Sequence, residues 1–336
     1  MPPRTLTAVA ACLKNEGQFL LEWVAHQRGI GFDKVFVITN DCTDGTDFMA
    51  DRLAQMGQVI HLRNQIDPGE PPQVAGMRQL FADPRLADVA WLLHCDGDEF
   101  LNVTTGGGKV TDLLDAVGRD CDAIAVMWRV FGSDGVKDYE PCLVTERYTD
   151  RSPKPTAYQR WHKTMFRPDK FGWARDHMPK DPVDLSVRLR NTAGLPMSIN
   201  GTLKPRLSRY RDSGDAWTMD NACLHHYATL AEDLFLLKNV RGDGMALVST
   251  KYHLNERTWR AWNASGQRDT SMYRHLPALR ERRDVYRADP VLAFLDVSAQ
   301  DWFRRMVARH LTPENRAAWT IDPNSPIADR SDDQAR

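Results

Sequence analysis

Two carboxylates one residue apart, in Asp96-Gly97-Asp98, are the pair in this chain best suited to grip a divalent cation. A glycine between them permits a tight turn. Hard oxygen donors suit Mg²⁺ or Mn²⁺, which keep positions open for phosphate oxygens. A cation held there would neutralise a diphosphate as its bond to a sugar breaks. Such a triplet also fits a solvated acidic turn, because the spacing is common. Its place raises it above that: it directly follows Val89 to Leu93, an apolar run that reads as a buried strand.

Two other polar clusters follow apolar runs in the same way. Lys14-Asn15-Glu16 comes after Leu6 to Leu13, and Asn40 to Thr46 comes after Lys34 to Thr39. Lys14, Asn15 and Glu16 are either an exposed strand end or the wall of a nucleotide pocket. Asn40 and Asp44 are placed to receive a base and ribose, while Thr43 or Asp44 equally suits an N-cap for a helix from Thr46. A neutral imidazole, from His226 or His177, could complete a carboxylate site, although hydrogen-bonded structural roles are commoner for histidine. Gly106-Gly107-Gly108-Lys109-Val110 lacks the spacing and the following Ser/Thr of a phosphate loop. No G-x-S-x-G elbow is present, which disfavours a serine hydrolase.

The elements that must carry these clusters alternate. Gln18 to Arg28 has helical spacing, Lys34 to Thr39 is a strand, and a helix runs to about Gln55. A strand at Gln58 to Leu62, a helix over Gln73 to Phe81 and the strand before Asp96 follow. This order predicts an α/β fold with a mostly parallel, doubly wound sheet, whose ligands sit at the carboxyl ends of the strands. Asp122 to Val130 reads as another strand. The stretch from there to about 220 reads as irregular, 230–241 as helix, and 275–311 as charged helix interrupted at Pro290. The expected organisation is a catalytic domain over 1–245, a helical C-terminal extension over 246–322 and a disordered tail over 323–336.

Bulk composition sets limits. At 336 residues with 42% hydrophobic and 26% charged residues, the chain can bury a core as a soluble globular protein. A net charge of −1 supplies no global pull toward nucleic acid, so phosphate must be handled by a local site. Six scattered cysteines without a C-x-x-C pair argue against a zinc ribbon or disulfide framework, and a reduced, cytosolic compartment is expected. The N-terminus lacks the features of a signal peptide, and no apolar run approaches the roughly 20 residues that span a bilayer.

The clusters together form a string that resembles the GT-A glycosyltransferases, in the branch near families 2 and 92. Lys14-Asn15-Glu16, Glu22-Trp23 and Gly29-Ile30-Gly31 look like that branch's opening. Val37 to Thr46 looks like its D/N-x-S-x-D-G-T loop, and Trp91 to Phe100 like its W…D-x-D-E-F. Trp128 to Ser133, Glu146-Arg147-Tyr148, Lys163 to Pro168 and His177 continue the string. His226-Tyr227 with Glu232, Phe235, Lys238 and Arg241-Gly242 closes it, so the match covers about 5–245.

The resemblance implies a GT-A fold, a nucleotide-sugar donor (usually UDP-linked), Mn²⁺ or Mg²⁺, and a glycan or glycolipid acceptor. It implies that Asp98 binds the metal, that Asp96 binds metal or ribose, and that Asn15, Glu16 and Asn40 line the nucleotide pocket. His226 becomes the candidate third metal ligand. Thr39-Asn40 stands where many family 2 enzymes carry a base-reading aspartate, and Cys42 replaces a small hydroxyl residue. Inversion at the anomeric carbon needs a base, for which Asp134 and Asp176 are the candidates. The basic C-terminal helices suit a solvated face, or contact with a membrane surface or a lipid-linked acceptor. Rival classes are a sugar nucleotidyltransferase, for which a glycine-rich basic nucleotide loop is missing, and a carbohydrate-binding protein with a decayed site.

Overall fold

A computed structural model describes residues 5–154, 161–200, 202–203, 216–242, 252–263 and 265–321. Strands and helices alternate over the first part: β1 (Leu6–Leu13), α1 (Gly17–Gly29), β2 (Lys34–Thr39), α2 (Thr46–Gln55), β3 (Ile60–Arg63), α3 (Pro72–Ala82) and β4 (Val89–His94). Next come β5 (Glu99–Val103), α4 (Val110–Val117) and β6 (Ala123–Val130). Short pieces follow: α5 (Val144–Arg147), β7 (Asp150–Arg151), β8 (His162–Phe166), β9 (Phe171–Ala174), β10 (Pro179–Pro182), β11 (Leu189–Asn191) and β12 (Pro196–Met197). The remainder is β13 (Ala222–His226), α6 (Glu232–Arg241), α7 (Arg257–Trp262), β14 (Gln267–Arg268), α8 (Leu276–Ala288), α9 (Pro290–His310) and α10 (Pro313–Ala318).

The main sheet runs β12-β11-β6-β8-β4-β1-β2-β3, with β13 and β5 branching from β6. β3, β2, β1 and β4 are mutually parallel, so the residues after β1, β2 and β4 emerge at one edge. β8 is inserted antiparallel between β4 and β6, which makes the sheet mixed on that side. The α/β architecture expected from the alternation is therefore present, with a parallel half and a mixed half. The expected irregular region after 130 is instead strand-bearing. β8 (His-Lys-Thr-Met-Phe) is buried throughout but is polar in type, and several of its neighbours span only two to four residues. Neither feature yields an apolar period in the sequence.

Side chains alternate between two cores, one on each face. Val9, Ala11 and Leu13 of β1 face the larger core, while Ala8 and Ala10 face the smaller. The larger core also takes apolar residues from α8 and α9, including Leu279 and Phe303. Both helices pack on α1, and α9 also packs on α2 and α6. At α1's first turn, a Cβ on Gly17 would lie 2.8 Å from the Cβ of Ala299 on α9, so only glycine admits this approach. The tail expected over 323–336 lies outside the described residues.

Candidate active site

The strand-end edge carries a cavity of about 280 Å³ lined by residues following β1, β2 and β4 and by later segments. Lys14, Glu16, Asn40, Asp96, Asp98, Asp176 and His226 all line it. Seven sequence-predicted residues, spread across more than 200 positions, are thus brought to one wall.

Register explains how. β8 runs antiparallel to β4, pairing Met165 with Leu93, so Lys163 sits beside the end of β4. Its ammonium donates to Asp96 Oδ2 at 2.8 Å and lies 3.5 Å from Glu99 Oε2. The Asp96 backbone N–H donates to Glu99 Oε2 at 2.8 Å, closing the turn. β13 pairs His226 opposite Glu99, and the Tyr227 N–H donates to the Asp98 carbonyl at 2.9 Å. This places His226 Nε2 3.7 Å from Asp98 Oδ1. α6 then supplies Lys238, whose ammonium donates to Asp98 Oδ2 at 3.1 Å, and Arg241, which donates to Glu16 Oε1 at 2.6 Å. Both cations lie in the last turn of α6, where the helix dipole favours them.

α1 braces the turn from behind. The Trp23 indole donates to the Glu99 carbonyl at 3.1 Å, and the His26 ring contacts the Leu101 carbonyl at 2.9 Å. The buried Glu22 carboxylate accepts from the backbone N–H groups of Val144 and Thr145, capping α5. The Glu22-Trp23 pair of the motif string is therefore structural. A Cβ on Gly97 would fall 2.0 Å from Glu16 Oε2, so a larger residue there would displace the Glu16 carboxylate from its place beside Arg241.

Electrostatics follow from burial and these pairs. Burial alone would raise the Asp96 carboxyl, but the Lys163 ammonium and His94 hold it well below the usual carboxylate range. Asp98 is likewise raised by burial and lowered overall by Lys238 and His226. Burial pushes Glu16 up to about 7 against the pull of Arg241. Glu99, fully buried, is pushed well up by burial and by the neighbouring Asp96 and Asp98 charges, and its Oε1 accepts no hydrogen bond. Burial lowers His226 to about 4, so its ring is neutral near pH 7 and its Nδ1 has no hydrogen-bond partner.

Three expectations change. Asp44 is absent from the cavity wall: its carboxylate accepts from Gly17 N–H at 2.8 Å and Thr46 N–H at 2.9 Å, holding the starts of α1 and α2 together. Asp134 accepts from Thr149 N–H and Asp150 N–H, both at 3.0 Å, and lines a different, shallow pocket. Asn15 turns away from the strand-end cavity, with its Oδ1 accepting from Thr43 N–H at 2.7 Å. The reason is common to all three: unpaired backbone N–H groups near turns recruit the nearest short carboxylate or amide.

The proposed metal trio is also only partly assembled. Among the described residues, no group of three or more His, Cys, Asp or Glu side chains is arranged to hold an ion. Both oxygens of Asp96 are engaged, by Lys163 and by Gln73 Nε2 at 3.0 Å. Asp98 Oδ1 and the neutral His226 Nε2, in contrast, are spaced so that one cation could contact both. Mg²⁺ or Mn²⁺ commonly takes only one or two carboxylates from a protein and completes its shell with water and phosphate. The Asp98–His226 pair fits such an ion, while Asp96 is held by Lys163 and Gln73.

Several wall residues escaped prediction as site members. Lys163, Lys238 and Arg241 appeared only as links in the motif string, and Gln73 only as part of a helix. Trp128, Trp161 and Trp262 gather around His177 and His226, with ring centroids of Trp128 and His226 4.3 Å apart. The indole N–H groups of Trp128 and Trp262 are buried without a hydrogen-bond partner. Aromatic residues over 128–173 suit stacking on acceptor sugar rings, a range that holds Trp128 and Trp161 but not Trp262, while a core role is the commoner expectation for tryptophan.

No protein-family model matches the chain. Over 167 residues it is 28% identical to a glycosyltransferase family 92 protein of Ricinus communis, a family that the motif string resembles. That match takes in 48% of this chain and 28% of the relative, so the chain spans well under half the relative's length. Among solved structures it is similar to S. aureus TarS 1–349, at 13% identity over 92% of each chain, with a TM-score of 0.36. A longer S. aureus TarS structure is matched over 91% of this chain and 55% of its own, also at 0.36. Likeness at that level carries no argument about chemistry.

Proposed function

We propose that this chain is a metal-dependent glycosyltransferase that moves a sugar from a nucleotide-sugar, UDP-linked, to a hydroxyl of a glycan or glycolipid, with inversion. The observation that carries the reading is the cavity at the ends of β1, β2 and β4, where Asp96 and Asp98 each meet a lysine from a distant segment. The similarity to a family 92 glycosyltransferase over about half the chain supports it. The catalytic unit spans 1–245, with 246–322 as a helical extension whose α8 and α9 pack against α1.

Asn40 and Lys14, at the ends of β2 and β1, receive the nucleoside. Asp96, fixed by Lys163 and Gln73, presents a charged, pre-oriented acceptor for ribose hydroxyls. Asp98 and His226 hold Mn²⁺ or Mg²⁺, which when bound neutralises the diphosphate. Lys238 and Arg241 face the same space and add fixed positive charge for the leaving group. The aromatic wall of Trp128, Trp161 and Trp262 offers faces for sugar rings, with the indole N–H groups of Trp128 and Trp262 as donors. Asp176 is the base: it lines the cavity beside His177, whose Nε2 lies 3.6 Å from its Oδ2.

Screening nucleotide-sugars with and without Mn²⁺ for a rise in melting temperature, and for sugar release, tests this directly. The expected result is stabilisation and turnover with one donor class only, dependent on the metal. Stabilisation without turnover would point to a decayed binding protein. Formation of a nucleotide-sugar from sugar phosphate and nucleoside triphosphate would point to a nucleotidyltransferase.

A further inference from the structure

A second cavity, of about 460 Å³, lies on the other side of the Glu16–Arg241 and Asp98–Lys238 pairs. Its size falls in the usual range for small-molecule sites. It shares Lys14, Glu16, Asp98, Lys238 and Arg241 with the strand-end cavity, so the two meet at the candidate reaction centre. The character of its wall is different. Leu234 and Leu237 of α6 face Trp302, Phe303 and Met306 of α9, with Phe19 of α1 beside them.

Charge at this cavity is also distinctive. Glu16 and Asp98 are neutralised by Arg241 and Lys238. Lys14 and Arg309 line the cavity too, and neither forms an ion pair with another described residue. An apolar chamber with two uncommitted cations at its wall complements a molecule that has an apolar chain and an anionic head. Each methylene of such a chain that enters the chamber removes apolar surface from water and adds to binding.

We infer that this second cavity binds an apolar chain bearing a phosphate head, with Lys14 and Arg309 as the phosphate's partners. Resting on the glycosyl-transfer reading, this ligand is the lipid part of the acceptor: the chain occupies the α6–α9 chamber, the phosphate lies at Lys14 and Arg309, and a glycan beyond the phosphate brings its hydroxyl to the wall shared with the donor. Lys14, on the shared wall, touches both cavities. Arg309 and Met306 line the second cavity and not the first.

The test is direct binding to the full chain by calorimetry, using decyl phosphate below its micelle concentration, with decanol and inorganic phosphate as separate arms. Decyl phosphate should bind at least tenfold more tightly than either alone. Met306→Glu, which places a carboxylate in the apolar wall, and Arg309→Glu should each weaken it at least tenfold, and Arg309→Lys should recover most of the loss. Both variants change half-buried or exposed positions of a 21-residue helix, and unchanged melting temperatures would confirm that they fold. Equal binding of decanol, equal binding of inorganic phosphate, or wild-type affinity in both Glu variants would each overturn the inference. Sugar release from nucleotide-sugar is scored separately without any amphiphile. Its absence would defeat the transferase reading and leave the alkyl-phosphate result to stand or fall alone.

Discussion

Asp96 and Asp98 at the end of β4 differ from Asp44 and Asp134 in what answers their charge. The first two meet ammonium groups delivered from β8 and α6, inside a cavity. The other two are held chiefly by backbone N–H groups, at the starts of α1 and α2 and at the turn before β7, with the nearby Arg147 guanidinium 3.6 Å from Asp134 Oδ2. Residue type is the same, and so is the proximity to a strand end for Asp44. A carboxylate satisfied by local amides is held by its own loop and has a conformational task. A carboxylate satisfied by a distant lysine is held at a meeting point of segments, where a ligand can exchange with its partner. That distinction separates structural from candidate functional acids in this chain.

The comparison can be broken most easily through the two base candidates. Asp176→Asn is expected to lower kcat for sugar transfer about a hundredfold or more, as loss of a general base does. Asp134→Asn, at a residue that lines a different pocket, is expected to leave kcat within about twofold. Equal losses, or the reverse order, in steady-state assays would remove the distinction.

Lys163 is next. Lys163→Met would leave the buried Glu99 and the partly exposed Asp96 without their cation, and the expected loss is roughly 3–5 kcal/mol of unfolding free energy, read from urea denaturation. A loss below about 1 kcal/mol would mean that the pair does not hold the turn. Asp44→Ala is expected to cost about 1–2 kcal/mol through its lost caps while leaving the KM for the donor unchanged. A raised KM with intact stability would return Asp44 to the donor site.

The smallest effect is in pH dependence. Burial holds His26 down to about 3 and His94, His226 and His275 down to about 4. Each folded value lies below the ordinary 6.5, so the stability they contribute is present above about 6.5 and is lost as pH falls toward 4. Glu16, raised to about 7, works in the opposite direction: its contribution is complete below about 4.5 and is lost as pH rises through 7. Melting temperature should therefore fall on acidification below 6.5, and Glu16→Gln should make that fall steeper. A Glu16→Gln profile parallel to the wild type would contradict the burial-driven shift.

Legibility in the sequence followed the period of the apolar pattern. From β1 to β4, strands with buried faces alternate with amphipathic helices, and both the elements and the shared carboxyl edge could be read. β5 could not, since Glu99 and Asn102 lie fully buried within it, paired with β13 and braced by Trp23 and His26. β8 hides Lys163 in the sheet for the same reason. The contact of His226 with Asp98 depends on the β5–β13 register across more than a hundred residues, which no local pattern encodes; only the family resemblance suggested it. Asp44 shows the limit from the other side: the loop fitted both cap and ligand, and tertiary contact with Gly17 chose the cap.

The central claim is that Asp98, answered by Lys238 and His226, sits where the donor's diphosphate is held. Turnover of the nucleotide-sugar by Asp98→Ala, compared with wild type at saturating Mn²⁺, tests it most directly. The account expects a fall of at least a hundredfold with the fold intact by melting temperature. An Asp98→Ala protein that turns over its donor at the normal rate would contradict it.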